Sequence, residues 1–433
     1  MRTSVFERAE HALRSVTVSH PVGRITQVSA GTMTASGLPM NVRVGDTVEI
    51  GSDHRRAEVI KVTQNSALLL PEGATLGAFV GEHVVWLGSQ SLAPDWSWIG
   101  RVIDPHGKPL DGRAILPGLQ PRTIIGSAPM AYARRTMGPR LNTGYVLFDT
   151  MLPVVQGQRI GLFAGSGVGK STLLGGLAQK MTADVTVIAL VGERGREVRE
   201  FVENTLGPEG LERSVVVAAT SDRAPQVRRK CVFTATAVAE FFRDQGLHVL
   251  LLVDSVTRFA EAHRETSVAA GEAANLRGYP ASTASALAGL CERAGPGAEQ
   301  QGDITAVYSV LVAGSDMEEP IADTLRGLLD GHVVMDRKIA ESGRYPAVDV
   351  LRSVSRSLPH AATQSENNLI MQARELLGAF DRTELMLKAG LYETGNDSLT
   401  DRAIELKPKL DLVLGSQSAN AASSFAKLRS ALT

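Results

Sequence analysis

The residues best equipped for chemistry lie between Ala164 and Ser171, which read Ala-Gly-Ser-Gly-Val-Gly-Lys-Ser. This is a glycine-rich phosphate loop with alanine in place of its first glycine, a small change if φ there is negative. Consecutive backbone N–H groups of Gly165, Ser166, Gly167, Val168, Gly169 and Lys170 can wrap a polyphosphate at a helix N-terminus. Lys170 would then reach the β- and γ-phosphates, and the Ser171 hydroxyl would hold Mg²⁺. Asp254 closes the apolar run Val249–Val253, the place from which a carboxylate organises a metal's water shell. It could equally cap the helix that follows. Glu193 comes just after a second apolar run, where a carboxylate can orient and polarise an attacking water. Gly-Glu-Arg-Gly-Arg-Glu also reads as the charged start of a solvated helix. Arg356, in Ser353-Val-Ser-Arg, is a candidate finger for a neighbour's γ-phosphate, with a surface ion pair as the competing fate.

These groups need a scaffold that brings distant segments together. A strand over Arg159–Phe163 and a helix from Ser171 to Met181 flank the loop, as the motif requires. Further apolar runs over 185–191, 214–219, 248–254 and 304–312 alternate with helical stretches. Such runs are strands buried on both faces, so the fold class is α/β with a parallel sheet. Before it, short strands at 22–28, 47–50, 58–62, 66–70 and 83–87, broken by glycine and polar turns, predict a small β-barrel. After Pro359 the strand signals stop, and 366–387, 399–406 and 410–432 read as helices. At the start, Phe6, Ala9, Leu13 and Val16 share one helical face, which must dock on the parent domain or on a partner. The expected division is a helix over 1–18, a barrel over 19–95, a nucleotide-binding core over 96–360 and a helical domain over 361–433.

Composition narrows the function classes. The 433 residues carry a net charge of −1, and aromatics make up 5%. Balanced charge and few stacking rings argue against nucleic acid as a partner. Of the 45 basic residues, ten are Lys and 35 Arg, an excess most simply read as base composition. Cys231 and Cys291 stand alone, which excludes a disulfide framework. The longest apolar run near a candidate span falls far short of the ~20 residues a bilayer needs. The first sixteen residues contain Glu7 and Glu10 and no apolar stretch, unlike a secretory leader. The expectation is a cytoplasmic protein.

Five blocks then occur in a telling order: the loop at 164–171, Val191-Gly-Glu-Arg-Gly-Arg-Glu-Val, Val253-Asp-Ser-Val-Thr-Arg-Phe-Ala, Leu329-Asp-Gly-His-Val-Val-Met-Asp-Arg, and Gly343-Arg-Tyr-Pro-Ala-Val-Asp-Val-Leu-Arg-Ser-Val-Ser-Arg. Together they resemble the type III secretion ATPases, most closely the flagellum-specific export branch, which is similar in turn to the catalytic subunit of rotary ATP synthases. The resemblance implies a RecA-like core between a barrel and a helical domain, assembled as a homohexamer that hydrolyses ATP with Mg²⁺. It implies that Lys170 and Ser171 bind phosphate and metal, that Thr172 touches the α-phosphate region, and that Glu193 is the catalytic carboxylate. It further implies Arg194 close to the γ-phosphate, Asp254 as the metal-side acid, and Arg356 as a finger on the neighbouring subunit. Tyr345 would stack on adenine, with plain core packing as the alternative.

The implied setting is the base of the flagellum, at the cytoplasmic face of the inner membrane. The implied partners are an export regulator on the N-terminal helix, a coiled-coil stalk protein in the ring, the export gate, and export chaperones with their substrates. A virulence-type secretion ATPase is the sibling alternative; a hexameric RNA translocase and a nucleotide-binding scaffold are more distant ones. Two stretches, Gly271–Thr283 and Gly314–Pro320, depart from the family pattern, in loops expected to face the ring's centre or its stalk.

Overall fold

The computed structural model describes residues 4–14, 16–73, 77–274, 278–312 and 317–433. Helix α1 (Val5–Arg14) leads into six strands: β1 (Val22–Val28), β2 (Met33–Ser36), β3 (Asp46–Ile50), β4 (Arg55–Val62), β5 (Ala67–Pro71) and β6 (His83–Ser89). They close a barrel in the order β1-β2-β5-β4-β3-β6. Ile25, Met33, Val48, Ile50, Val59 and Leu69 fill it, each almost wholly buried. The expected five strands are therefore joined by β2, whose four residues Met-Thr-Ala-Ser give too short an alternation to stand out.

Helix α1 docks by its polar side. Arg8 is its one buried residue and donates to Ser97 Oγ at 2.7 Å while pairing with Asp95. The apolar stripe faces outward, with Phe6 88% and Leu13 76% exposed.

The lead-in carries β7 (Ser91–Leu92), β8 (Arg101–Ile103) and β9 (Arg122–Thr123); β7 pairs with β9, so this strand joins the lead-in and not the barrel. The core follows with α2 (Val146–Thr150), β10 (Arg159–Ala164), α3 (Lys170–Lys180), β11 (Val185–Glu193), α4 (Gly195–Glu200), α5 (Gly207–Leu211), β12 (Ser214–Thr220), α6 (Pro225–Asp244), β13 (Val249–Asp254), α7 (Val256–Ala269) and α8 (Ser282–Arg293). It continues through β14 (Gly295–Pro296), β15 (Asp303–Leu311), α9 (Pro320–Leu328), β16 (Gly331–Met335), α10 (Arg337–Glu341) and β17 (Val348–Ser355). The sheet order is β17-β16-β10-β15-β13-β11-β12-β8, with β14 beside β15. β8, β10, β11, β12, β13, β15 and β16 run parallel, and β17 and β14 run against them. Every residue of β13 is buried, as its unbroken apolar run requires.

β8, β16 and β17 are additions to the expected core strands. β16 and β17 lie at one end of the sheet, and β17 mixes exposed Leu351, Arg352 and Val354 with buried Val348, Val350 and Ser353. An edge strand of that composition lacks the continuous apolar signature of its neighbours.

The C-terminal domain consists of α11 (Gln364–Lys388), α12 (Ser398–Leu414) and α13 (Ala421–Ala431). Here the expected break between 406 and 410 is a correction: α12 runs straight through Pro408. The chain turns later, after Gly415, and Asn420 restarts it by accepting from Ser423 N at 2.9 Å. Proline signalled the wrong boundary because Ala403, Leu406, Leu410 and Leu414 keep one buried face on both sides of it.

Buried ion pairs clamp these layers together. Arg229 pairs with Glu58 of the barrel, and Gln226 Nε2 donates to Pro71 O at 2.7 Å. Arg293 at the end of α8, 2% exposed, is held by Glu240 of α6 at 2.8 Å and donates to Ile124 O of the lead-in at 2.8 Å. Glu240→Ala would strand a buried guanidinium, costing about 3–5 kcal/mol. Urea denaturation should show the loss, and an unchanged midpoint would contradict this clamp.

Candidate functional site

The phosphate loop leaves the C-terminal end of β10 and enters α3, as its sequence requires. Gly167 and Gly169 take positive φ of 77° and 84°, the conformation that folds the loop back and that a Cβ would oppose. Among the described residues only His54 combines positive φ with a side chain, so Ala164 sits in the first loop position without strain. Val168 is buried and anchors the loop from below, whereas Ser166, Gly167, Ser171 and Thr172 are exposed.

Lys170 Nζ donates to Asp254 Oδ1, and that same oxygen accepts from Ser309 Oγ at 2.6 Å. Asp254 is 3% exposed at the end of β13, while Ser309 belongs to the neighbouring strand β15. The capping alternative for Asp254 falls away, because Ser255 caps α7 by accepting from Arg258 N at 3.3 Å. Glu193 stands at the end of β11, half-buried, across a bulge from β12. Parallel pairing of β10, β15, β13 and β11 thus brings Lys170, Ser309, Asp254 and Glu193 to one rim, although they span 140 positions of sequence.

Burial, followed by the negative charge of Asp254, pushes the Glu193 carboxyl up to about 7, against the opposing pull of Lys170. A hydrogen bond with Glu197 works in the same upward direction. For Glu197 burial acts upward too, but the bonds from Glu193 and from the Arg194 backbone outweigh it, leaving that carboxyl below its ordinary value. Glu193 is therefore the proton-holding member of a carboxyl pair.

Two cavities that share Ser171, Thr172 and Glu193 open here. A cleft of about 850 Å³ is lined by Gly165–Gly167, Gly169–Thr172, Glu193, Thr257, Arg258, Glu261, Tyr279 and the start of α9. A smaller one of about 260 Å³ is bounded by Ser171, Thr172, Glu193, Glu197, Phe201 and Asp254. Lys170, Ser171, Thr172, Glu193 and Asp254 are thus gathered around shared space. Tyr345 lies beside it, 52% exposed, with its ring against the loop: a Cβ on Gly169 would meet Tyr345 Cε1 at 3.2 Å.

Two expected residues lie elsewhere. The Arg194 side chain is 79% exposed and pairs with Glu197 at 3.1 Å, and it lines neither cavity. Arg356 is exposed beyond the end of β17; its backbone N donates to Asp330 O at 3.1 Å and its Nη2 to Arg326 O at 3.2 Å. Because β17 is antiparallel, Arg356 sits level with the start of β10, roughly 16 Å of strand below the loop. It cannot serve the phosphate site of its own subunit.

Sequence reading missed Arg258, Glu261, Glu197 and Ser309. Arg258 lines the larger cleft, packs by Gly192 and pairs with Glu261 at 2.9 Å. A signal existed for Glu197, an acid at the third position of the helix that starts just after Glu193, where a carboxylate supports a helix N-terminus. Of the departing loops, residues 275–277 and 313–316 lie outside the described residues; Tyr279 lines the cleft and Glu272 accepts from Ser282 Oγ at 2.6 Å.

Comparison with known proteins agrees with this architecture. Residues 144–355 match the ATP synthase alpha/beta family, nucleotide-binding domain, and residues 362–433 match the T3SS EscN ATPase C-terminal domain. A flagellum-specific ATP synthase of Caulobacter vibrioides is 43% identical over 93% of both chains. The SPI-2 type 3 secretion system ATPase of Salmonella typhimurium is 44% identical over 90% of this chain and 89% of its own. Among solved structures, the assembled ATPase EscN in complex with its central stalk EscO, from enteropathogenic E. coli, superposes with a TM-score of 0.86 at 36% identity, covering 95% of this chain and 100% of that one. No helix among the described residues is long and apolar enough to cross a membrane. The chain belongs to the flagellar and type III secretion ATPase family, as an ATP-hydrolysing enzyme with the ATP synthase alpha/beta nucleotide-binding core.

Proposed function

We propose that the protein is the ATPase of a flagellar type III export apparatus, hydrolysing ATP at the interfaces of a homohexamer. The observation that carries this reading is that the Lys170–Asp254 ion pair and the raised carboxyl of Glu193 meet at one rim of the sheet, beside two cavities that share Ser171, Thr172 and Glu193. The flagellum-specific relative matched over 93% of both chains supports the flagellar branch, as do the Val334-Met-Asp-Arg and Asp349–Arg356 blocks.

Each residue has a physical task. Backbone N–H groups from Gly165 to Lys170 bind the phosphates, and Lys170 moves from Asp254 towards the γ-phosphate as ATP enters. The Ser171 hydroxyl and the Asp254 carboxylate face the same cavity, a pair of hard oxygen donors suited to Mg²⁺ with water and phosphate oxygens completing its shell. When bound, Mg²⁺ would supply neutralising charge to the phosphates. Thr172 lies next along the helix, beside the α-phosphate. Glu193, once ionised, orients the attacking water and accepts its proton. Tyr345 stacks on adenine, and Arg356 completes the site of the adjoining subunit, since it is remote from its own. Arg194, turned towards Glu197, approaches the γ-phosphate only by swinging back from that contact.

Around this engine we place the remaining partners. A regulator covers the outward apolar stripe of α1. A coiled-coil stalk occupies the ring, by analogy with EscN and its central stalk EscO. Chaperones, their export substrates and the export gate meet the protein at the cytoplasmic face of the inner membrane. The division into 1–18, 19–95, 96–360 and 361–433 assigns the regulator to the first unit and hydrolysis to the third.

In cells, Lys170→Ala should fail to restore motility to a deletion strain; retained motility with lost secretion of another class of protein would favour the virulence branch. RNA should leave the ATPase rate unchanged, and strong stimulation would point to a translocase instead. Glu193→Gln should lower kcat by roughly 10²–10⁴. For the unaltered enzyme, kcat/KM should rise with pH through about 7, because the working form of Glu193 is ionised. The variant should lose that limb of the profile. Arg356→Ala should cost roughly 10³–10⁵ in rate. Mixed one to one with Lys170→Ala, it should regain activity, because random rings contain about a quarter of their interfaces intact. Mixed rings without recovery would refute action in trans.

A further inference from the structure

The turn that carries Tyr345 is tied to the helical domain. Arg344, with its side chain only 13% exposed, places Nη1 3.3 Å from Asp411 Oδ1 on α12. Its Nη2 donates to Val348 O at 2.8 Å, locking the start of β17. The other oxygen of Asp411 accepts from Lys407 Nζ, one turn earlier on the same helix. α12 then ends against the same turn: a Cβ on Gly415 would meet Tyr345 O at 3.2 Å and Arg344 Cγ at 3.6 Å. On its opposite side, the Tyr345 ring lies on Gly169 of the phosphate loop. Two residues of backbone thus join the phosphate loop to α12.

A guanidinium taken this far from water needs opposing charge. Burial lowers the basicity of Arg344, and the charges acting against that are Asp411 and then Asp349. Only Asp411 belongs to the helical domain, so the ion pair crosses the seam between the two layers.

We infer that Arg344 and Asp411 form a positioning pair, which holds the Tyr345 ring against Gly169 and couples binding of the purine to the seating of α12. The inference rests on the reading of Tyr345 as the ring that stacks on the base. Neither member of the pair touches nucleotide; both act through Tyr345.

Calorimetric titration of the full chain with ADP and with pyrophosphate, which lacks a base, separates the roles. Tyr345→Ala should raise the Kd for ADP about tenfold, the scale of one lost base stack. Arg344→Met and Asp411→Asn should each raise it roughly threefold and leave the Kd for pyrophosphate unchanged. Arg344→Lys should retain most of the affinity, and Arg344→Met with Tyr345→Ala should bind ADP no more weakly than Tyr345→Ala alone. Equal weakening of ADP and pyrophosphate, or additive effects in the double variant, would reduce the pair to a structural contact and overturn the inference. If Arg344→Met does not fold, Asp411→Asn gives the same comparison. Should Tyr345→Ala bind ADP normally, the stacking reading itself fails. Should Tyr345→Ala weaken ADP while Asp411→Asn and Arg344→Met do not, the positioning pair alone fails.

Discussion

An ammonium and a carboxylate pressed together at the rim of a parallel sheet set the terms for everything else in this protein. Lys170 and Asp254 neutralise each other at this rim. That arrangement requires β10 and β13 to lie one strand apart, which β15 enforces by pairing with both and supplying Ser309 to the shared oxygen. The apolar runs that form those strands are thus selected for position as much as for burial. Burial at the same rim, with the charge of Asp254, raises the Glu193 carboxyl to about 7.

Much of this was legible in the chain because the decisive signals are local. The phosphate loop needs only eight consecutive residues, and its strand-loop-helix context is read from flanking periodicity. Asp254 and Glu193 were legible for a related reason: a carboxylate at the end of an apolar run has few places to go on a parallel sheet. What failed to show was geometry set by tertiary contacts. Nothing in Gly-Glu-Arg-Gly-Arg-Glu says that Arg194 turns to Glu197, since an exposed guanidinium chooses among neighbours only after the helix forms. Arg258 sat unnoticed in a helical segment, because its place beside Gly192 at the end of β11 is set only by packing of α7 on the sheet. β17 was hidden by its polar, edge-type alternation, β16 by its five-residue length, and α12 by a proline that its buried face overrides.

The barrel is joined to the core by charge more than by continuous apolar contact. The barrel has its own sealed interior, and its link to α6 runs through Glu58, Arg229, Lys230 and Gln226. The helical domain differs, sharing one apolar core with the phosphate-loop side of the sheet through Ile370, Leu377 and Leu406. Rearrangement at the nucleotide is therefore felt more directly by the C-terminal helices than by the barrel, because packed cores transmit displacement.

The reversal of β17 carries one more consequence. This strand begins three residues after Tyr345, beside the phosphate loop, and ends one residue before Arg356 at the far side of the sheet. Its eight residues do not form a straight rod: four of them, Val350 to Ser353, bulge opposite the single Val333 of β16. In the ring proposed above, a displacement passed from the Tyr345 end of one subunit towards Arg356 would have to cross this bulge, which bends where a straight strand would push.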